Sequence, residues 1–319
     1  MIRTALQWLS PGGARARLSI LIFHRVLPRP DDLCPDEPDA ARFEQELHWI
    51  SRWFQVLPLD DAASLLAAGK LPPGAAAITF DDGYADNATV ALPALQRARL
   101  PATFFIATSF LDGGRMWNDT VIESVRACRA PALDLRAAGL GYFALDSIDS
   151  RRQAIGHLLP AIKYLEPAQR DAAVAAVHQA CGERLPDDLM MRSHQVLALR
   201  RAGMQIGAHT RSHPILARLG ETAAVDEIVG SKRDLESLLG EPVTLFAYPN
   251  GKPGVDYGAM HARMVHDAGF TAAVSTAPGA ASTGSDRFQL PRFSPWDRSR
   301  TRYGLRMLAN LRAGSGARV

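Results

Sequence analysis

Short apolar runs alternate along this chain with stretches whose apolar residues recur at helical spacing. The runs at 18–23, 55–59, 75–80, 102–107, 204–208, 243–247, 270–275 and 289–293 predict strands. Several are continuously hydrophobic, as expected of parallel strands covered on both faces. Helices are predicted near 41–53, 86–98, 193–202, 222–239 and 256–268. In the clearest of them Val225, Ile228, Val229, Leu235, Leu238 and Leu239 form one stripe, with Gly240 as the stop. About eight strands alternating with helices predict an α/β fold, either a barrel or a doubly wound sheet. The barrel, distorted or incomplete, is the preferred form.

The segment 109–189 breaks this rhythm. Rich in Ala, Arg and Leu, it reads as helix without a strand, and we take it as a mainly helical insertion within one catalytic domain spanning 1–319. Residues 298–319 read as a basic C-terminal helix or tail.

Of 319 residues, 47% are hydrophobic and 22% charged, which is globular, and the net charge of +3 is too small for a nucleic-acid protein. Three widely spaced cysteines, Cys34, Cys128 and Cys181, argue against a disulfide framework or a thiolate zinc site. Pro11-Gly12-Gly13 and several arginines interrupt the N-terminus before any unbroken apolar run, so no signal peptide is expected. Nothing approaches the roughly 20 apolar residues of a membrane span. The expected location is therefore cytoplasmic or peripheral to a membrane.

Candidate chemistry collects just after the strands, where a parallel barrel places its active site. Asp81 and Asp82 end a buried run. Two adjacent carboxylates there are costly unless they meet a cation or share a proton, although an Asp-Gly turn with a helix cap is the plainer alternative. His209 and His213, four apart after another apolar run, could turn both imidazoles to one ion, as on a helical turn. With an Asp they make three ligands and an open position, the arrangement of a catalytic rather than a structural metal. Tyr248-Pro249 after the 243–247 run offers a turn with exposed backbone N–H groups, or a simple loop anchor. His24 directly follows the first run. Arg292, near the end, could hold a carboxylate in place or be a surface residue.

Thr79-Phe80-Asp81-Asp82-Gly83, His209-Thr210-Arg211-Ser212-His213 and Phe246-Ala247-Tyr248-Pro249-Asn250-Gly251 together resemble the polysaccharide deacetylase family. The resemblance implies a distorted (β/α) barrel and a divalent metal, commonly zinc and sometimes cobalt, nickel or manganese. Carried over, it makes Asp81 the base, Asp82, His209 and His213 the ligands, and Tyr248 the source of an N–H for the oxyanion, with Pro249 and Arg292 beside the substrate. The family's late Leu-x-His acid is missing, because no histidine follows His266. The opening Ile22-Phe23-His24-Arg25-Val26 instead looks like the branch acting on exopolysaccharides, which makes His24 the acid. For the carboxylate that orients the acid, Asp286, Arg292 and Asp297 remain open as replacements.

The implied substrate is an N-acetylated carbohydrate, in association with an exopolysaccharide synthesis system. Two alternatives stay open: a metal amidohydrolase acting on a small non-sugar amide, and a carbohydrate-binding pseudoenzyme. A two-carboxylate glycosidase is disfavoured, since its carboxylates must flank the bond at a separation of about 5–10 Å.

Overall fold

The computed structural model describes residues 2–294, 297–313 and 318–319. The helices, in chain order, are α1 Ile2–Leu9, α2 Ala40–Trp53, α3 Leu59–Ala67, α4 Leu92–Ala98, α5 Trp117–Ala127, α6 Ile148–Lys163, α7 Pro167–Cys181, α8 Ser193–Arg201, α9 Glu221–Leu239, α10 Ala259–Asp267 and α11 Arg300–Arg312. The strands are β1 Ser19–Phe23, β2 Gln55–Val56, β3 Ala75–Phe80, β4 Thr103–Ile106, β5 Ala132–Leu135, β6 Gly141–Ala144, β7 Gln205–Ala208, β8 Leu245–Ala247 and β9 Ala272–Val274. Contacts divide the chain into two compact units. One comprises Met1–Arg29, Asp36–Asp112 and Met191–Val319, the other Pro30–Pro35 and Gly113–Met190.

The larger unit holds a seven-stranded parallel sheet, ordered β1-β3-β4-β7-β8-β9, with β2 on β3. It curls into a half-barrel surrounded by helices. The continuous apolar runs have the predicted consequence, since β1, β3 and β4 are buried at every residue. Of the expected strands, 55–59 is a strand only at Gln55–Val56, with Leu59 opening α3, and 289–293 departs further. It is not a full strand but a segment with one parallel bridge to each end of the sheet, Leu290 to Val274 and Phe293 to Leu21. Pro291 lies between them and has no N–H to donate, which breaks the ladder.

The α9 helix ends as predicted, with Gly240 left-handed at φ 70°. Its buried stripe differs from the sequence reading: Ala224, Ile228, Ser231 and Leu235 face inward, and Val225 is exposed. The expected helix at 86–98 begins with a π-helical turn, Asn87–Ala91, before α4.

The smaller unit packs α5, α6 and α7 around Val121, Val125, Leu158, Ile162 and Val177. It also contains the antiparallel hairpin β5–β6, so the expectation of a strandless insertion is corrected. Its strands are four residues each, and no β-branched residue occurs in either to mark them in the sequence. Among the described residues, no helix is long and apolar enough to cross a membrane.

One buried acid on α2 makes stability depend on pH. Glu46 is 1% exposed, and burial outweighs its Arg42 partner to push its carboxyl from 4.5 up to about 7. A raised folded-state pKa means that the contribution to stability is present below 4.5 and is lost as pH rises through about 7. Between pH 4.5 and 8 the wild type should therefore lose roughly 2–3 kcal/mol more than Glu46→Gln in urea unfolding. Parallel curves for the two proteins would refute the assignment.

Candidate active site

Four buried polar side chains meet beyond the carboxyl ends of β3 and β7. Asp81 and Asp82 follow β3, and His209 follows β7, with 3%, 6% and 1% exposure. The fourth, Arg292, comes from the bridging segment and is 1% exposed, which excludes its reading as a surface residue. Both aspartates lie past the end of β3, where Asp82 has left the strand conformation at φ 76°, and they meet different partners.

Asp81 is held by Arg292 in a bidentate pair, at 2.6 Å from Nη1 to Oδ1 and 2.7 Å from Nη2 to Oδ2. The guanidinium also donates to the Ser275 carbonyl at 3.0 Å and to the Thr79 hydroxyl at 3.3 Å. Burial alone would raise the Asp81 carboxyl, but Arg292 and then His209 overcome it and hold it below the ordinary range. Arg292 therefore braces Asp81 and is itself sealed from a substrate.

Asp82 turns toward the imidazoles. Its Oδ1 lies 3.4 Å from Nε2 of His209 and 3.4 Å from Nε2 of His213. It is buried, yet forms no proper hydrogen bond. One ligand atom from each of Asp82, His209 and His213 falls within 4.8 Å of the others, the spacing of a metal-binding set. His209 Nδ1 sits 2.7 Å from the Ala247 carbonyl, which fixes the tautomer that leaves Nε2 free to coordinate. Burial pushes His213 down to about 4, so it is a neutral donor near pH 7.

The backbone at the site is strained. Asp82, Thr210 and His213 have φ of 76°, 61° and 53°, a region that residues other than glycine rarely enter. The two histidines thus lie on a loop and not on the helical turn that their spacing suggested. Glu227 of α9 pins that loop, accepting from the backbone N–H groups of Arg211 and Ser212 at 2.8 and 2.9 Å. Behind Asp82, Gly83 turns at φ 91°, and a Cβ there would press on Ile106 at 3.3 Å.

His24 is exposed and close enough for its charge to act on Asp81, Asp82 and His213. The candidates for its orienting group are engaged elsewhere. Asp286 accepts from the Phe288 N–H and from Gln289, Asp297 pairs with Arg306, and Arg292 braces Asp81. Glu37, which the sequence did not single out, is a further carboxylate whose charge couples to His24, and it accepts the backbone N–H of Arg25.

Tyr248 does not fit its expected part. Its N–H donates to the Val274 carbonyl at 3.2 Å, its hydroxyl donates to the Phe288 carbonyl at 2.9 Å, and its ring stacks on Tyr257. The oxyanion N–H expected there is already used in the sheet, and Pro249 has none to give. An aromatic–proline turn in sequence does not tell whether its N–H continues the ladder.

A parallel half-barrel with carboxylates, an arginine and imidazoles gathered where its strands end carries this cluster on the face where barrel enzymes place their active sites. The sequence profile of the polysaccharide deacetylase family matches residues 68–130 and 160–273, more than half of the chain, and the protein belongs to that family. A relative named for the same activity, YxkH of Bacillus subtilis (strain 168), is 23% identical over 279 residues, covering 87% of this chain and 71% of that one. The fold is similar to that of the Streptococcus pyogenes deacetylase PplD, with a TM-score of 0.61 at 16% identity, over 92% of this chain and 98% of PplD. IcaB from Ammonifex degensii gives 0.57 at 16% identity, over 94% and 98%. The enzyme is a polysaccharide deacetylase, a hydrolase of the carbohydrate esterase type.

Removing one partner of the buried Asp81–Arg292 pair strands the other charge. Arg292→Met should lower unfolding free energy by about 3–5 kcal/mol. The double variant Asp81→Asn/Arg292→Met should lose clearly less than the two single losses combined. Strict additivity in denaturant melts would show that the pair is not coupled.

Proposed function

We propose that the protein is a metal-dependent de-N-acetylase of an N-acetylated polysaccharide, with Asp82, His209 and His213 as metal ligands and Asp81 as general base. The observation that carries this reading is the buried Asp82 Oδ1, without a proper hydrogen bond and equidistant from two imidazole nitrogens. A buried polar atom in that state is expensive unless a cation completes it. One carboxylate and two imidazoles suit zinc best, with cobalt, nickel or manganese as alternatives.

A divalent cation held there supplies Lewis acidity, acidifying water and drawing charge from the acetamide carbonyl. Asp81, kept ionised by Arg292, accepts the proton of the attacking water as it adds to the acetyl carbon. His24 delivers a proton to the sugar nitrogen as the C–N bond breaks, because an amine leaves poorly unless protonated. The products are acetate and a free amino sugar. The Tyr248 N–H, engaged with the Val274 carbonyl, is not available to an oxyanion. The early placement of His24, as in the exopolysaccharide branch, favours an exopolysaccharide substrate and association with the system that makes it.

Acetate release from chitin-, peptidoglycan- and exopolysaccharide-type oligomers, with and without a chelator, tests the reading. Asp82→Ala and His209→Ala should lose both bound metal and activity. Asp81→Asn should keep the metal and lose activity by about 10²–10⁴-fold. Full turnover by Asp81→Asn, or by the chelated enzyme, would overturn the proposal.

A further inference from the structure

Among the described residues the His24 side chain makes no hydrogen bond, but the backbone that carries it is tied down. Asn87 Nδ2 donates to the His24 carbonyl at 2.8 Å. Asp86 accepts from the Val26 N–H at 3.1 Å and from Arg25 Nε at 2.8 Å. The Arg25 guanidinium also lies over the Tyr84 ring, 4.8 Å from its centre. Just upstream, the Asp81 N–H donates to the Phe23 carbonyl at 3.0 Å. Each residue of the segment 23–26 is thus bonded to the stretch 81–87, which also carries Asp81 and Asp82.

Stability alone does not account for this clamp. Asp86 is 7% and Asn87 0% exposed, and burial raises the Asp86 carboxyl despite the Arg25 charge beside it. A buried ion pair of this kind is often no better for folding than an apolar replacement. Asn87 also opens the π-helical turn Asn87–Ala91, a rare geometry that recurs frequently at functional sites.

We propose that Asp86 and Asn87 are positioning residues for proton delivery, fixing the His24 backbone so that its imidazole stays over the Asp81–Asp82 cluster. The inference rests on the reading of His24 as the acid. A loosened His24 would impair only the step in which the leaving group takes a proton. An amine leaving group needs that proton, whereas the 4-nitrophenolate of an aryl acetate departs without it. The clamp should therefore matter for amide hydrolysis and much less for ester hydrolysis at the same metal site.

The experiment compares the zinc-loaded wild type, His24→Ala and Asp86→Asn on an N-acetylated oligosaccharide and on 4-nitrophenyl acetate. His24→Ala should lower kcat on the amide by about 100-fold or more, and Asp86→Asn by about 10-fold, each with a far smaller loss on the ester. KM and bound zinc should be close to wild type in Asp86→Asn. In the metal-free protein, the His24 ring resonances of that variant should move toward those of free histidine. Arg25→Gln breaks the same ion pair from its more exposed side should Asp86→Asn not fold, and Arg25→Lys, which keeps the charge, should recover part of the amide activity. An amide-selective loss in His24→Ala with none in the clamp variants, or equal losses on both substrates in the clamp variants, overturns the clamp and leaves the acid intact. Unselective loss in His24→Ala overturns the acid reading, and the clamp with it.

Discussion

Two carboxylates that end a buried strand side by side cannot both stay charged without partners, and the site is arranged around satisfying that demand. Asp81 receives a fixed positive charge from Arg292, in the planar two-point geometry that only a guanidinium offers. Asp82 receives two imidazoles at 3.4 Å, which are bases as well as partners and leave it incompletely satisfied. The same dipeptide therefore carries two electrostatic situations, one closed and one open. The proposed division into base and ligand follows from that difference.

Holding the open half in place requires backbone strain, and the strain is supported from neighbouring elements. Asp82 and His213 both sit at positive φ, where a flexible loop would relax. The Glu227 carboxylate on α9 anchors the histidine loop through two N–H groups, and the Ala247 carbonyl on β8 anchors the His209 ring. The cluster is thereby tied to neighbouring elements through both the histidine loop and the His209 ring, as the proposed cation site would require.

The bridging segment 289–293 links the two concerns. Its proline keeps it from becoming a full strand, yet single bridges to Val274 and Leu21 carry it across the ends of the sheet. That path delivers Arg292 to Asp81, 211 residues away in sequence. An irregular closure of the half-barrel is thus also what neutralises the proposed base.

Much of this was legible in the chain itself. Buried parallel strands announce themselves as continuous apolar runs, because both of their faces must avoid water, and the residues directly after 75–80 and 204–208 included Asp81, Asp82, His209 and His213. Other features followed only from tertiary structure. Whether Tyr248 offers its N–H depends on where the β8 ladder stops, and whether Arg292 meets solvent or Asp81 depends on how the half-barrel closes. The importance of Glu227, Asp86 and Asn87 rests on contacts with remote segments, and nothing in their local sequence signals it. The hairpin of the smaller unit was hidden because each of its strands is only four residues long and neither contains a β-branched residue, and pairing between them decided the outcome. Local pattern fixes which residues stand at strand ends, since burial acts on each segment separately; which of them neutralise one another is settled only when distant segments are packed together.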